Sequence, residues 1–156
     1  MTTPVEATQR TPLTVLQGGT AAGAMDLTAA LLVSALYGVG PVRVLQSIAS
    51  GVLGEAANGS AAAAVLGVVL HFAIMLVICW VFLTAARRFA FLTRRVVLSG
   101  ALYGVAVYLF MQYVVLPLSA YPYGVASSLA PIVRGTIIHI VCVGLPIALI
   151  VRRNLR

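Results

Sequence analysis

The chain has 156 residues, 62% hydrophobic and 8% charged, with a mean hydropathy of +1.08 and a net charge of +7. Soluble domains carry roughly 25% charged residues, so the composition excludes one and points to an integral membrane protein. The positive balance does not indicate nucleic acid, because Arg10, Arg87, Arg88, Arg94, Arg95, Arg152, Arg153 and Arg156 lie at segment ends or in tails, where topology determinants belong.

A hydrocarbon core about 30 Å thick needs roughly 20 apolar helical residues, and four stretches reach that length: 16–39, 61–86, 96–118 and 132–151. The expected fold is an all-α membrane protein, a four-transmembrane-helix up-down bundle. Residues 1–13 read as a short disordered cytoplasmic tail, and 14–156 as a single transmembrane domain. The tail is polar and no small-residue cleavage site follows it, so it is not read as a cleavable signal. In the first span Gly19 and Gly23 form a small-xxx-small pair, a spacing that lets helix backbones approach closely in lipid. The same face continues through Ala22 to Asp26.

After the first span, residues 41–53 read as a short interfacial helix opened by Pro41. Leu45, Ile48, Ala49 and Val52 make its apolar face, and Arg43, Gln46, Ser47 and Ser50 its polar one. A float on the lipid surface is preferred over a lid on the bundle. The second span carries His71, Met75 and Cys79 at four-residue spacing. Arg87, Arg88, Arg94 and Arg95 crowd the next connection, and Trp80, Phe82, Phe89 and Phe91 gather near it as an aromatic belt. The third span holds a second small pair, Gly100 and Gly104. Tyr121 and Tyr123 follow in the next loop, with Tyr37 and Tyr113 near the same interface. The fourth span carries His139, Cys142 and Pro146, which should kink it, and the chain ends in arginines. The arginine asymmetry predicts both termini inside (N-in/C-in), with only Arg43, Arg134 and Glu55 as outer-face charges. Arg134 and Glu55 are expected to form a weak pair.

Asp26, His71 and His139 stand near the middle of three different spans, where ionisable groups are costly and face a protein interior. His71 and His139 fall at matching depth on spans expected to be diagonal, and Asp26 lies on a neighbour to both, so all three could converge. Structural use comes first: hydrogen bonds that hold helices together, in a structural or accessory membrane subunit. The alternative is a transporter or cofactor carrier built on the same cluster. That covers proton or solute handling, haem b held by His71 and His139, and copper or zinc held by His71, His139, Met75 and Cys142. Catalytic motifs are absent and the carboxylates are too scattered for paired chemistry, so the enzyme question leans to no. The Gly pairs serve either homo-oligomerisation or internal packing. The bilayer, a homo-oligomer or a larger membrane complex are the partners considered.

The segments LQSIASGVLG, LGVVLHF, GALYGVAVYLFMQYVVLPLS and IIHIVCVGLPIALIVRR resemble an uncharacterised family of small four-span bacterial inner-membrane proteins. The resemblance covers nearly the whole chain. It implies a multi-pass protein of the bacterial cytoplasmic (inner) membrane and assigns a pattern to Ser50, Gly51, Gly54, His71, Tyr103, Gly104, Pro117, His139, Gly144 and Pro146. It implies no activity.

Overall fold

The computed structural model describes residues 4–155, with side chains from Thr11 onward. Among these residues four helices are long and apolar enough to cross a membrane, and they form an all-α bundle. Span one is α1 (Pro4–Leu36) and span two is α3 (Ala61–Arg88), joined by α2 (Pro41–Leu53). The short α4 (Phe91–Arg94) leads into span three, made of α5 (Val96–Phe110), a π-helical turn (Met111–Val115) and α6 (Leu116–Leu118). Span four is α7 (Leu129–Ile138), a second π-helical turn (His139–Gly144) and α8 (Leu145–Leu155).

α1 starts at Pro4, so residues 4–13, expected to be a disordered arm, are helical; residues 1–3 of that arm lie outside the described residues. Polar contacts hold this end. Arg87 donates to the Thr11 hydroxyl at 2.6 Å, and Asn154 donates to Gln17 at 3.0 Å. The ends of spans one, two and four are thereby tied together on the arginine-rich side.

Span one packs on spans two and four, and span four packs on span three. The backbones of spans two and three stay apart, so the ring is not closed there. Near the arginine-rich end side chains bridge them: the Tyr103 hydroxyl donates to the Ile78 carbonyl at 2.6 Å, and its ring tilts against Phe82 with centroids 4.9 Å apart. Tyr103→Phe should therefore destabilise the bundle by about 0.6 kcal/mol, with an upper bound near ~1.7. Reversible unfolding in bicelles reads this, and an unchanged midpoint would show that the bridge does not hold the two spans.

The solid core sits in the arginine-rich half, where Cys79, Phe82, Leu83, Val143, Ile147 and Val151 are fully buried. Phe82 was expected in the aromatic belt, but it follows Met75 and Cys79 on the inward face of span two and is core; Trp80, Phe89 and Phe91 are exposed.

Both small-residue pairs are used inside the molecule. A Cβ on Gly19 would stand 2.9 Å from the Leu76 Cα, and one on Gly23 would meet the Phe72 ring at 2.9 Å, so span one lies directly on span two. A Cβ on Gly104 would meet the His139 carbonyl oxygen at 2.6 Å, and one on Gly100 the Gly144 oxygen at 3.0 Å. Lipid supplies no hydrophobic drive between helices, so this close backbone approach is what van der Waals association requires. These faces are covered by the chain's own helices and are not free for a second copy.

α2 has the expected bounds but divides its faces differently, with Gln46 and Ser50 of the expected polar face buried and Val52 of the expected apolar face exposed. Val44, Gln46, Ala49 and Ser50 are buried on the bundle, while Val42, Val52 and Leu53 face outward. In lipid the apolar residues can face out, and the polar ones turn inward to find partners. The Gln46 amide donates to the Ser60 carbonyl at 3.0 Å and its oxygen accepts from Gly59 N at 3.3 Å. The Leu45 carbonyl presses against Gly67. Ala120 N donates to the Gly51 carbonyl at 2.9 Å, and α2 ends at Gly54, whose φ of 58° is in the left-handed region that glycine favours. The surface float is thus replaced by a lid clamped to span two and to the loop after span three.

Candidate functional site

Beneath α2, where spans two and three diverge, lies a cavity of about 480 Å³. Asp26, His71 and His139 all line it, with Ser47 and Ile48 from the lid, Met75 and Ile78 from span two, and Met111 from span three. The bundle is therefore packed at the arginine-rich end and hollow at the lid end, with its intramembrane ionisable groups around the hollow.

Each of the three is positioned differently. His71 is 8% exposed; its Nε2 lies 2.9 Å from the Gly23 carbonyl, across the contact between spans one and two. A carbonyl only accepts, so Nε2 carries the proton and, in the neutral ring, Nδ1 is left as an acceptor. His139 begins the π-helical turn; its Nδ1 lies 3.0 Å from the Gly135 carbonyl, one turn back on its own span. By the same logic Nε2 is its remaining acceptor, and the Tyr108 ring packs edge-on against the imidazole at 5.3 Å between centroids. Asp26 is 9% exposed, and its Oδ1 stands 4.0 Å from His139 Nδ1, too far for a hydrogen bond. It accepts no hydrogen bond from any of the described residues. Its carboxylate opens onto the cavity instead.

The two π-helical turns explain how spans three and four shape this space. Proline lacks an N–H for the carbonyl four residues back and clashes with it. For Pro117 and Pro146 those carbonyls belong to Tyr113 and Cys142, each inside a widened turn, where Leu116 N instead reaches Met111 O and Leu145 N reaches Ile140 O. The expected strain at Pro146 is thus taken up by the wide turn beginning at His139. Wide turns of this kind are rare and occur often at functional sites. Met111 and Val115 bound one of them and both line the cavity.

Of the candidate metal ligands, His71, His139 and Met75 line the cavity and Cys142 does not; Cys79 is enclosed against span one with its thiol 3.8 Å from the Thr14 carbonyl. Among the described residues no three of His, Cys, Asp or Glu are grouped to hold a metal ion, and both cysteines are free. The outer charges also separate. Arg134 donates to the Tyr37 hydroxyl at 2.7 Å and lies 5.1 Å over that ring, rather than pairing with Glu55. Tyr37 ends span one beside the start of span four, whereas Glu55 and Arg43 are exposed on the lid side of span two.

Sequence reasoning missed the lid residues Ser47 and Ile48 and the wall residue Met111, whose only signal was Pro117 a turn and a half later. It also missed Tyr121 at the cavity mouth, outside the spans, where burial and then the nearby Tyr123 phenol push its pKa up. A phenol is already protonated at neutral pH, and this shift keeps Tyr121 so into more alkaline solution. No protein-family model, curated protein or solved structure matches the chain.

Proposed function

We propose that this protein is a membrane-embedded binding protein or carrier for a small lipid-soluble molecule, held in the cavity by Asp26, His71 and His139. The observation that carries this is Asp26. An ionisable residue at a span centre costs about 2.5–3.5 kcal/mol on insertion scales, and a role in the fold would require protein partners to offset that. Asp26 has no hydrogen-bond partner among the described residues, its contact with His139 being a 4.0 Å ion-pair distance that counts only when the imidazole is protonated, and it faces a cavity of about 480 Å³ lined otherwise mostly by apolar side chains. Such a cavity, apolar with a few convergent polar groups, is the general form of a small-molecule site.

A structural or accessory role is favoured by one contact, the His71 bond to the Gly23 carbonyl, which fastens span two to span one. It does not account for Asp26. The arginine distribution supports a cytoplasmic arginine-rich end, which puts the lid and cavity in the outer half of the bilayer. The sequence resemblance supports a bacterial cytoplasmic membrane.

Purified wild-type protein and Asp26→Leu, extracted with organic solvent and compared by mass spectrometry, test the proposal. The expected result is a compound retained near one per chain by the wild type and depleted in the variant. Identical extracts containing bulk lipid alone would overturn it.

A further inference from the structure

The gap between spans two and three carries a second hollow, a groove of about 290 Å³ on the lipid side. Ile74, Ile78, Val107, Met111 and Val115 line both the groove and the cavity, so the two meet along one apolar wall. Val77 and Phe110 flank the groove and are 59% and 57% exposed, facing where lipid chains run. No backbone packing closes this side, because Tyr103 and Phe82 bridge the two spans only nearer the arginine-rich end.

Apart from the Tyr121 hydroxyl at the mouth, the polar groups of the cavity present acceptors. Asp26 offers carboxylate oxygens, and an ionised carboxylate only accepts. His71 and His139 each commit a ring N–H to a backbone carbonyl, leaving acceptor nitrogens in their neutral forms. The hydroxyl protons of Ser47 and Ser119 are likewise directed to the carbonyls of Val44 and Leu116. A head group that matches brings donors and a positive charge, because a buried carboxylate is stable when paired with a cation that also hydrogen-bonds to it. An ammonium supplies three N–H donors and the charge. A carboxylate or phosphate head group would meet like charge.

Resting on the reading that the cavity binds a small molecule, we propose that its ligand class is an amphiphilic amine. It enters sideways from the bilayer between spans two and three, sets its ammonium against Asp26, and lays its apolar chain along the wall of Ile74, Ile78, Val107 and Met111.

The test uses the full chain in nanodiscs of zwitterionic lipid at pH 7, titrated with octylamine, octanol and octanoate against empty nanodiscs. The expected result is saturable octylamine binding at one per chain, about tenfold or more tighter than either other head group. Asp26→Asn, which keeps the side-chain shape, should remove that preference while the protein stays folded. The route is read with an alkylamine carrying a dansyl group at the far end of its chain, followed by stopped flow. Ala73 also lines the groove, and Ala73→Trp, which fills it, should slow this association severalfold. Equal saturable binding of octylamine and octanol, or unchanged selectivity in Asp26→Asn, overturns the amine assignment and leaves the cavity reading standing. An unchanged association rate in Ala73→Trp overturns the lateral route. If none of the three probes binds, the amine assignment falls; the cavity reading falls with it only if wild type and Asp26→Leu also give identical solvent extracts.

Discussion

Gly104→Val and Gly144→Val each prevent the folded bundle from accumulating, among the largest effects expected of single substitutions in the chain. At their crossing, spans three and four touch backbone to backbone. A Cβ on Gly104 would lie 2.6 Å from both the His139 carbonyl oxygen and the Ile140 Cα, and one on Gly144 would collide with the Gly100 carbonyl and the Gly104 backbone. Neither obstacle is a flexible side-chain tip, so relief requires the helices to move apart. Separating them removes the close contact that, in lipid, is the main attraction between them. Overpacking of a tight contact costs typically 1–3 kcal/mol and more where backbone is the obstacle, a large share of the stability of a small bundle. The matched control is Gly40→Ala. Nothing lies within 4 Å of a Cβ at Gly40, and its φ of −70° suits any residue, so the change carries only the cost of Ala at the N-cap of α2, about 1 kcal/mol or less. Size-exclusion chromatography in mild detergent and the thermal unfolding midpoint check both. A monodisperse Gly104→Val protein with an unchanged midpoint would contradict the crossing. Because the Gly104 contact is with His139 itself, smaller substitutions there should also displace the imidazole, linking the packing of span three to the site.

The parts of this architecture that follow from length and hydropathy were legible in the residues. Spans two, three and four and the bounds of α2 lie within a few residues of expectation, because the bilayer sets the length and Pro41 and Gly54 mark the ends of α2, whereas the helix of span one begins well before its expected start, at Pro4. The glycine pairs were legible as close-contact faces, but not their partners, since a small-xxx-small spacing fits a second copy and a neighbouring helix equally well. Which way α2 faces was not legible from its moment. The residues read as its solvent face, Gln46 and Ser50, are buried because the medium outside is lipid and their partners are within the protein. The π-helical turns were hidden for a different reason. Pro146 announced strain, but whether a helix answers a proline by kinking or by widening the preceding turn depends on what packs there, here Gly104 and Gly100 against the segment from His139 to Leu145. Convergence of Asp26, His71 and His139 on one cavity could be framed as a question of depth and helix adjacency. That Asp26 would lack a hydrogen-bond partner could not, because it depends on the gap between spans two and three.

Asp26→Leu is expected to leave the bundle as stable as the wild type or to raise its stability by about 2 kcal/mol. The wild-type carboxylate lies near a span centre without a hydrogen bond, a placement that insertion scales penalise by roughly 2.5–3.5 kcal/mol, and part of that penalty is relieved by the cavity and by His139 nearby. Leucine removes the penalty, and the cavity has room for its extra volume, so overpacking does not offset the gain. Stabilisation on removing a polar group is characteristic of residues kept for function rather than for the fold. His71 is the internal contrast. Its Nε2–H bond to the Gly23 carbonyl joins two spans, and interhelical bonds of this kind contribute about 0.6 kcal/mol on average and up to ~1.7. His71→Leu also presses a branched side chain against the tight contact at Gly23 and Phe72. It should therefore destabilise.

The central claim is that Asp26 serves a ligand while His71 also serves the fold, and equilibrium unfolding of both leucine variants beside the wild type in the same bicelles tests it most directly. The expected result is opposite signs: Asp26→Leu unchanged or more stable, His71→Leu less stable. A loss of stability in Asp26→Leu equal to that in His71→Leu would contradict the claim and make the carboxylate part of what holds the helices together.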